Sequence, residues 1–270
     1  MAALVSAIAG VFTVARGQAF AGHALSDVGA AGGSGSVLVG INPLAGFVLM
    51  NLAAAGVMES IGIERPRGRD LATGVILSAA LGIAALFLYL DSTYTSFSNA
   101  TQSILFGDIF SIQSSAVPVV IVLTFAATGG SLLLYRPLLL STVSADLAAA
   151  RGVPVRLVGV CYLLVLALAV SLTSITVGAI LSTALLIGPA ATALRLTSRP
   201  GAAMLAASLL GVGQVWLAVL LSFDSYYWIP DHRPLPVSFL VVTVVFTVYV
   251  MSLLAPSVGG HRRTLRRGAA

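Results

Sequence analysis

Lysine is absent from this 270-residue chain, cysteine occurs once, and acidic side chains number only nine. Without lysine there is no Gly-x-x-x-x-Gly-Lys-Ser/Thr phosphate loop, so any work drawn from ATP has to be supplied in trans. The lone Cys161 lies inside an apolar run, which excludes an internal disulfide and a multi-cysteine metal cage. Charge is scarce altogether: 9% of residues are ionic and 58% hydrophobic, whereas soluble domains carry roughly 25% charged residues. With a mean hydropathy of +1.03 this is the composition of a polytopic membrane protein, and apolar runs of about 20 residues have the length of transmembrane helices. One all-α membrane domain over residues 1–270 leaves no length for a large soluble domain besides.

What charge there is gives orientation. All fourteen positive residues are Arg, and Arg16, Arg65, Arg67, Arg69, Arg136, Arg151, Arg156, Arg195, Arg199, Arg262, Arg263, Arg266 and Arg267 fall in alternate loops. Only Arg233 falls on the other side. Arg-rich loops stay cytoplasmic, which places the carboxyl terminus and the basic tail 256–270 inside. A pI near 9.9 is explained by this topology, so the expected partner is the lipid bilayer and not nucleic acid.

The first apolar run ends at Arg16 and offers about 21 Å of helix, against a hydrocarbon core of about 30 Å. It reads as a truncated first helix. Full spans are expected at Gln18–Gly40, Asn42–Ile63, Leu71–Leu90, Ala116–Tyr135, Leu157–Ile175, Val177–Leu194, Ala202–Leu221 and Val237–Leu254, eight in all. The basic loop Glu64–Asp70 is cytoplasmic, and residues 138–156 form a cytoplasmic connector. Asp91–Ser115 and Asp224–Pro236 are outer loops, whose aromatic residues suit the membrane interface. Asp108, Asp224 and Asp231 are read there as solvated charges.

Four constellations could carry chemistry. In Gly22-His23-Ala24-Leu25-Ser26-Asp27 the imidazole and carboxylate are four residues apart, one turn along one helix face. An acid at bilayer depth costs on the order of 2.5 to 3.5 kcal/mol, so Asp27 needs a cavity or a partner. Nitrogen with carboxylate oxygen suits zinc, manganese or iron(II), water completing the shell; the other reading has His23 and Asp27 satisfying each other near the inner interface. Gly29, Gly32, Gly33 and Gly35 allow close helix packing, and a broken helix there would instead offer backbone to an ion.

In the connector, Ser144 can cap a short helix with Asp146 in its first turn, Gly152 can take the left-handed closing position, and Pro154 prevents continuation. On these residues it is either a plain connector or a docking element. Within Val177–Leu194, Pro189 lacks an N–H and is expected to kink the helix after Gly188, with Ser182, Thr183 or a water serving freed backbone groups. Such a helix either lines a path or simply packs.

Three stretches resemble the membrane subunit of bacterial ATP-binding cassette importers for zinc, manganese or iron(II), the third-class metal permeases. They are Gly22 to Asp27, similar to that family's Gly-Asp-Ala-Leu-Ser-His; Leu105-Phe106-Gly107-Asp108; and Gly178 to Ala193 with its Leu-Leu-Ile-Gly-Pro-Ala-Ala-Thr-Ala core. The resemblance covers nearly the whole chain. It implies a type II importer-like permease of the bacterial plasma membrane that forms a homodimer, engages a separate cytoplasmic ATPase, and receives metal from an extracytoplasmic metal-binding protein. It further implies metal contact at His23 and Asp27, which exchange places relative to the family, and coupling to the ATPase through Ser144, Ala145, Asp146 and Gly152. No permanently bound cofactor and no enzymatic activity of its own are expected; the divalent metal is cargo. Two alternatives remain open: a permease for a chelated metal such as a siderophore or cobalamin complex, and an ion-coupled secondary transporter in which Asp27 titrates.

Overall fold

The computed structural model describes residues 1–61, 66–94, 100–107, 116–228 and 235–254. The tail 256–270, part of the basic loop Glu64–Asp70, Asp108, Asp231 and Arg233 lie outside the described residues. Those described form helices and no strands, in the order α1 (Ala2–Ala15), α2 (Ala19–Leu38), α3 (Pro43–Ile61), α4 (Pro66–Tyr94), α5 (Ala100–Phe106), α6 (Val117–Leu133), α7 (Tyr135–Val143), α8 (Ala145–Ala150), α9 (Val155–Val177), α10 (Ala179–Leu196), α11 (Pro200–Trp228) and α12 (Val237–Leu254). Hydrogen bonds within a helix satisfy every backbone group but those at the ends, which is why this architecture suits a chain so poor in polar side chains.

By length and composition, Thr73–Thr93 within α4, α9, α10, α11 and α12 can each cross a membrane, and α6 with α7 makes a sixth, bent by 52° at its break. α2 has the length, with 20 residues, but its Gly- and Ser-rich composition keeps it out of this set. Its surroundings explain how it can be so polar. It packs on α3, α4, α5, α9 and α10, and a helix covered by protein on most sides has no need of an apolar coat.

α9 forms the other half of the centre. Its Tyr162, Leu166, Ala169 and Val170 pack with Val5 and Val11 of α1, Leu25 of α2 and Leu186 of α10 in the principal core. A second cluster ties α10 to α11 and α12 through Leu185, Ala218, Val241 and Val245. Lipid gives helices no hydrophobic reason to associate, so close contact rests on small residues. A β-carbon added at Gly32 would lie 2.3 Å from the carbonyl oxygen of Gly46, and one added at Gly10 would lie 1.9 Å from that of Leu186. These helices touch backbone to backbone.

The region read as one outer loop, Asp91–Ser115, is partly helical. α4 continues through Asp91 to Tyr94, and α5 packs on α2, α4, α9 and α10, with Ile104 buried beside Ala30, Phe47 and Ala179. Likewise α11 runs through Asp224 to Trp228, where the outer loop was expected to begin. Polar residues ended the apolar runs without ending the helices; Asp91 is buried within the protein, whereas Asp224 is exposed.

Candidate metal-contact site

α2 is unbroken from Ala19 to Leu38, so His23 and Asp27 sit one turn apart on one face. His23 Nε2 lies 3.6 Å from Asp27 Oδ2, the imidazole 44% exposed and the carboxylate side chain 10%. That distance exceeds a hydrogen bond. It is the span of two metal–ligand bonds of about 2.1 Å meeting at about 118°, close to the tetrahedral angle. A cation held there would need water or further donors to complete its shell, since no group of three His, Cys, Asp or Glu side chains occurs among the described residues.

The residues between and around the pair are tied to α9 and α10. Ser26 Oγ donates to the Ala179 carbonyl at 2.5 Å, lies 2.5 Å from Ser182 Oγ and 3.2 Å from Ser174 Oγ, while His23 Nδ1 lies 3.1 Å from Thr183 Oγ1. Ala179 is the first residue of α10 and Ser174 lies in the last turn of α9. The pair therefore lies beside the start of α10 and the last turn of α9, a few residues beyond Arg16, with α2 continuing past Asp27 to Leu38.

That turn is where the other two diagnostic stretches meet. Gly107 and Gly178 have φ of +72° and +96°, a region that favours glycine. A β-carbon on Gly107 would lie 2.4 Å from the Gly178 nitrogen, and one on Gly178 would lie 2.3 Å from the Phe106 carbonyl carbon. Ser238 of α12 closes the junction by donating to the Phe106 carbonyl at 2.5 Å. So Leu105–Gly107, Gly178–Ala179 and Ser26 are one contact, although they are far apart in sequence.

The remaining expected residues fall elsewhere. Gly29 and Gly33 both face the Phe47 ring, and Gly32 faces Gly46, so in an intact helix these glycines pack. Helix α10 continues through Pro189, and a bend of 52° separates α6 from α7 at Leu134. A β-carbon on Gly188 would strike Val245 of α12, and Pro189 is buried with its ring against Gly211 of α11. Gly188 lies five residues beyond Thr183, about 140° around a helix of about 3.6 residues per turn, so this dipeptide faces α11 and α12 and not the His23 side.

In the connector, Ser144 Oγ accepts from Leu147 N at 3.2 Å, Asp146 lies in the first turn of α8, and Gly152 has φ +76°. The bent α7 leads into this helix. From α1, Arg16 reaches α7 by donating through Nη1 to Ser141 Oγ at 3.0 Å, and its guanidinium stacks 5.5 Å from the Tyr162 ring centroid. Sequence reasoning used Arg16 only as a topological marker. It also took Ser182 and Thr183 for backbone partners and gave Ser26 and Ser174 no role, because hydroxyls at helical spacing gain meaning only when the facing helix is known.

Residues 1–255 match the model of the ABC 3 transport family, and the chain belongs to that family, with the several spanning helices of a multi-pass membrane protein. Among its relatives, the manganese transport system membrane protein MntC of Listeria innocua is 30% identical over 261 residues, covering 95% of this chain and 88% of the relative. The manganese import system permease protein ScaB of Streptococcus parasanguinis is 31% identical over 77% of this chain and 73% of its own. The high-affinity zinc uptake system membrane protein ZnuB of Haemophilus influenzae is 27% identical over 73% and 74%. Among solved structures, PsaBC from Streptococcus pneumoniae in complex with Fab shares the fold, with a TM-score of 0.77 at 24% identity over 98% of this chain and 91% of that one. An inward-facing putative metal-chelate type ABC transporter has a TM-score of 0.68 at 14% identity over 94% and 84%.

Proposed function

We propose that this chain is the permease subunit of an ATP-binding cassette importer that carries a divalent transition metal, manganese or zinc, into the cytoplasm by alternating access, with His23 and Asp27 as transient ligands. The observation that carries the reading is the 3.6 Å gap between His23 Nε2 and Asp27 Oδ2, beside an imidazole left half-open. Two protein donors are enough to strip part of an ion's hydration and too few to trap it. A chelated metal would need a wide cavity and no direct ligands, so this narrow nitrogen–oxygen pair favours the bare ion.

The half-open imidazole also supports a homodimer. A polar ring in the membrane layer is costly against acyl chains, and a second copy facing α2 across a central path would cover it. In this arrangement the Arg-rich ends and the carboxyl terminus are cytoplasmic, α8 docks on a separate ATPase, and an extracytoplasmic binding protein delivers metal beside the α9–α10 turn. Eight spans follow if α2 and α3, polar but enclosed, cross with the apolar six.

The test is uptake of radioactive manganese and zinc by cells whose own importer is replaced by this chain with its partner subunits. His23→Ala and Asp27→Ala are each expected to lower uptake at least tenfold at unchanged membrane abundance. Unaltered uptake in both would remove the site assignment, and uptake that persists without a partner ATPase would point to an ion-coupled carrier.

A further inference from the structure

Thr183 makes a contact that transport as proposed does not use. Its hydroxyl oxygen lies 3.1 Å from His23 Nδ1, and the neighbouring Ser182 holds Ser26 at 2.5 Å. Two successive residues of α10 thus grip two residues of one α2 turn. Ser26 Oγ reaches the Ala179 carbonyl as well, so the hydroxyl facing the imidazole belongs to a surface fixed at several points. A neutral imidazole has one nitrogen that donates and one that accepts, and whichever nitrogen carries the proton cannot bind a metal. Ligating histidines commonly give their other N–H to an oxygen, which fixes both tautomer and ring plane.

We infer that Thr183 is a positioning residue for the metal: its hydroxyl oxygen accepts the Nδ1–H of His23 in the loaded state, so that Nε2, the nitrogen facing Asp27, presents its lone pair to the ion. This rests on the reading of His23 and Asp27 as metal contacts. Thr183 Oγ1 stands on the Nδ1 side of the ring and Asp27 on the Nε2 side, so a proton held at Nδ1 leaves Nε2 free for the ion. Valine has the shape of threonine without the hydroxyl. In Thr183→Val the ring is free to turn and to exchange tautomers, so the ion meets an N–H in part of the population. Serine restores the oxygen.

The experiment uses the full chain, purified in lipid nanodiscs with ¹⁵N-labelled histidine and titrated with Zn²⁺, the His23 signals being assigned by their loss in His23→Asn. In the zinc-loaded unsubstituted chain, Nε2 is expected to show the coordination shift and Nδ1 to be protonated. Thr183→Val should bind Zn²⁺ and Mn²⁺ about 10–100-fold more weakly, and Thr183→Ser should recover the affinity. Coordination through Nδ1, or undiminished affinity in Thr183→Val, overturns the inference while leaving the metal reading intact. Zinc that never reaches His23 removes both. Because the coordinating nitrogen is read in the unsubstituted chain, a valine variant that failed to fold would not blunt the test.

Discussion

α9 and α4 are close in hydropathy, 2.4 and 2.1 over their most apolar windows, yet 56% of that window is buried in α9 and only 17% in α4. α4 turns Val75, Leu81, Ile83 and Leu86 outward. α9 instead carries Ser171, Thr173 and Ser174, all fully buried. Ser171 accepts from Asn51 Nδ2 at 2.9 Å, Thr173 pairs with Ser6 of α1, and Ser174 faces Ser26. Apolarity says that a helix belongs in the membrane. Small and hydroxylated side chains say which helices stand at its centre, since those contacts hold helices together where lipid competes for every methyl group.

The sharpest way to break this contrast is one glycine on each side of it. Gly32 of α2 meets the Gly46 carbonyl, whereas Gly82 of α4 has nothing within 4 Å of where a β-carbon would sit. Gly32→Leu should lose at least the upper end of the about 1–3 kcal/mol typical of overpacking, seen as a large fall in thermal unfolding temperature in detergent. Gly82→Leu should be neutral or slightly stabilising. Equal losses would show that α4 is covered by a further surface.

Much of this frame was legible in the residues. The last span ends where expected, at Val237 and Leu254, because an unbroken apolar run bounded by Pro236 and polar residues leaves few choices. The cap at Ser144 and the left-handed Gly152 were equally readable, since they depend on neighbours three to eight residues away. Legibility failed where partners are distant in the chain. The contact of Thr183 with the His23 ring and the meeting of Gly107 with Gly178 depend on which helix faces which. The neighbours of Pro189 were illegible for the same reason, since its ring lies against Gly211 on another helix.

A smaller effect separates the buried hydroxyls from ordinary polar side chains. Ser26→Ala deletes the donor to the Ala179 carbonyl and should cost about 0.6–1.7 kcal/mol, the range for polar contacts between membrane helices. A loss indistinguishable from zero by steric-trap or thermal measurement would mean that the Ser174 and Ser182 hydroxyls take over the carbonyl. Least of all is expected from Leu205→Ala on the outward face of α11, where the side chain is exposed; unfolding should move by no more than about 0.5 kcal/mol. A larger shift would identify that face as an interface between subunits.

The polar make-up of α2 also bears on how the protein is built. A segment in which Gly, Ser, His and Asp replace so many aliphatic residues gains little from leaving the insertion machinery by itself, and α2 has no stable home in lipid until α3, α9 and α10 stand around it. The turn Arg16–Gln18 joins it directly to the more apolar α1, so an apolar neighbour can carry it across. The helix that bears His23 and Asp27 is then among the last to settle, and a nascent chain halted before α10 would hold it only loosely.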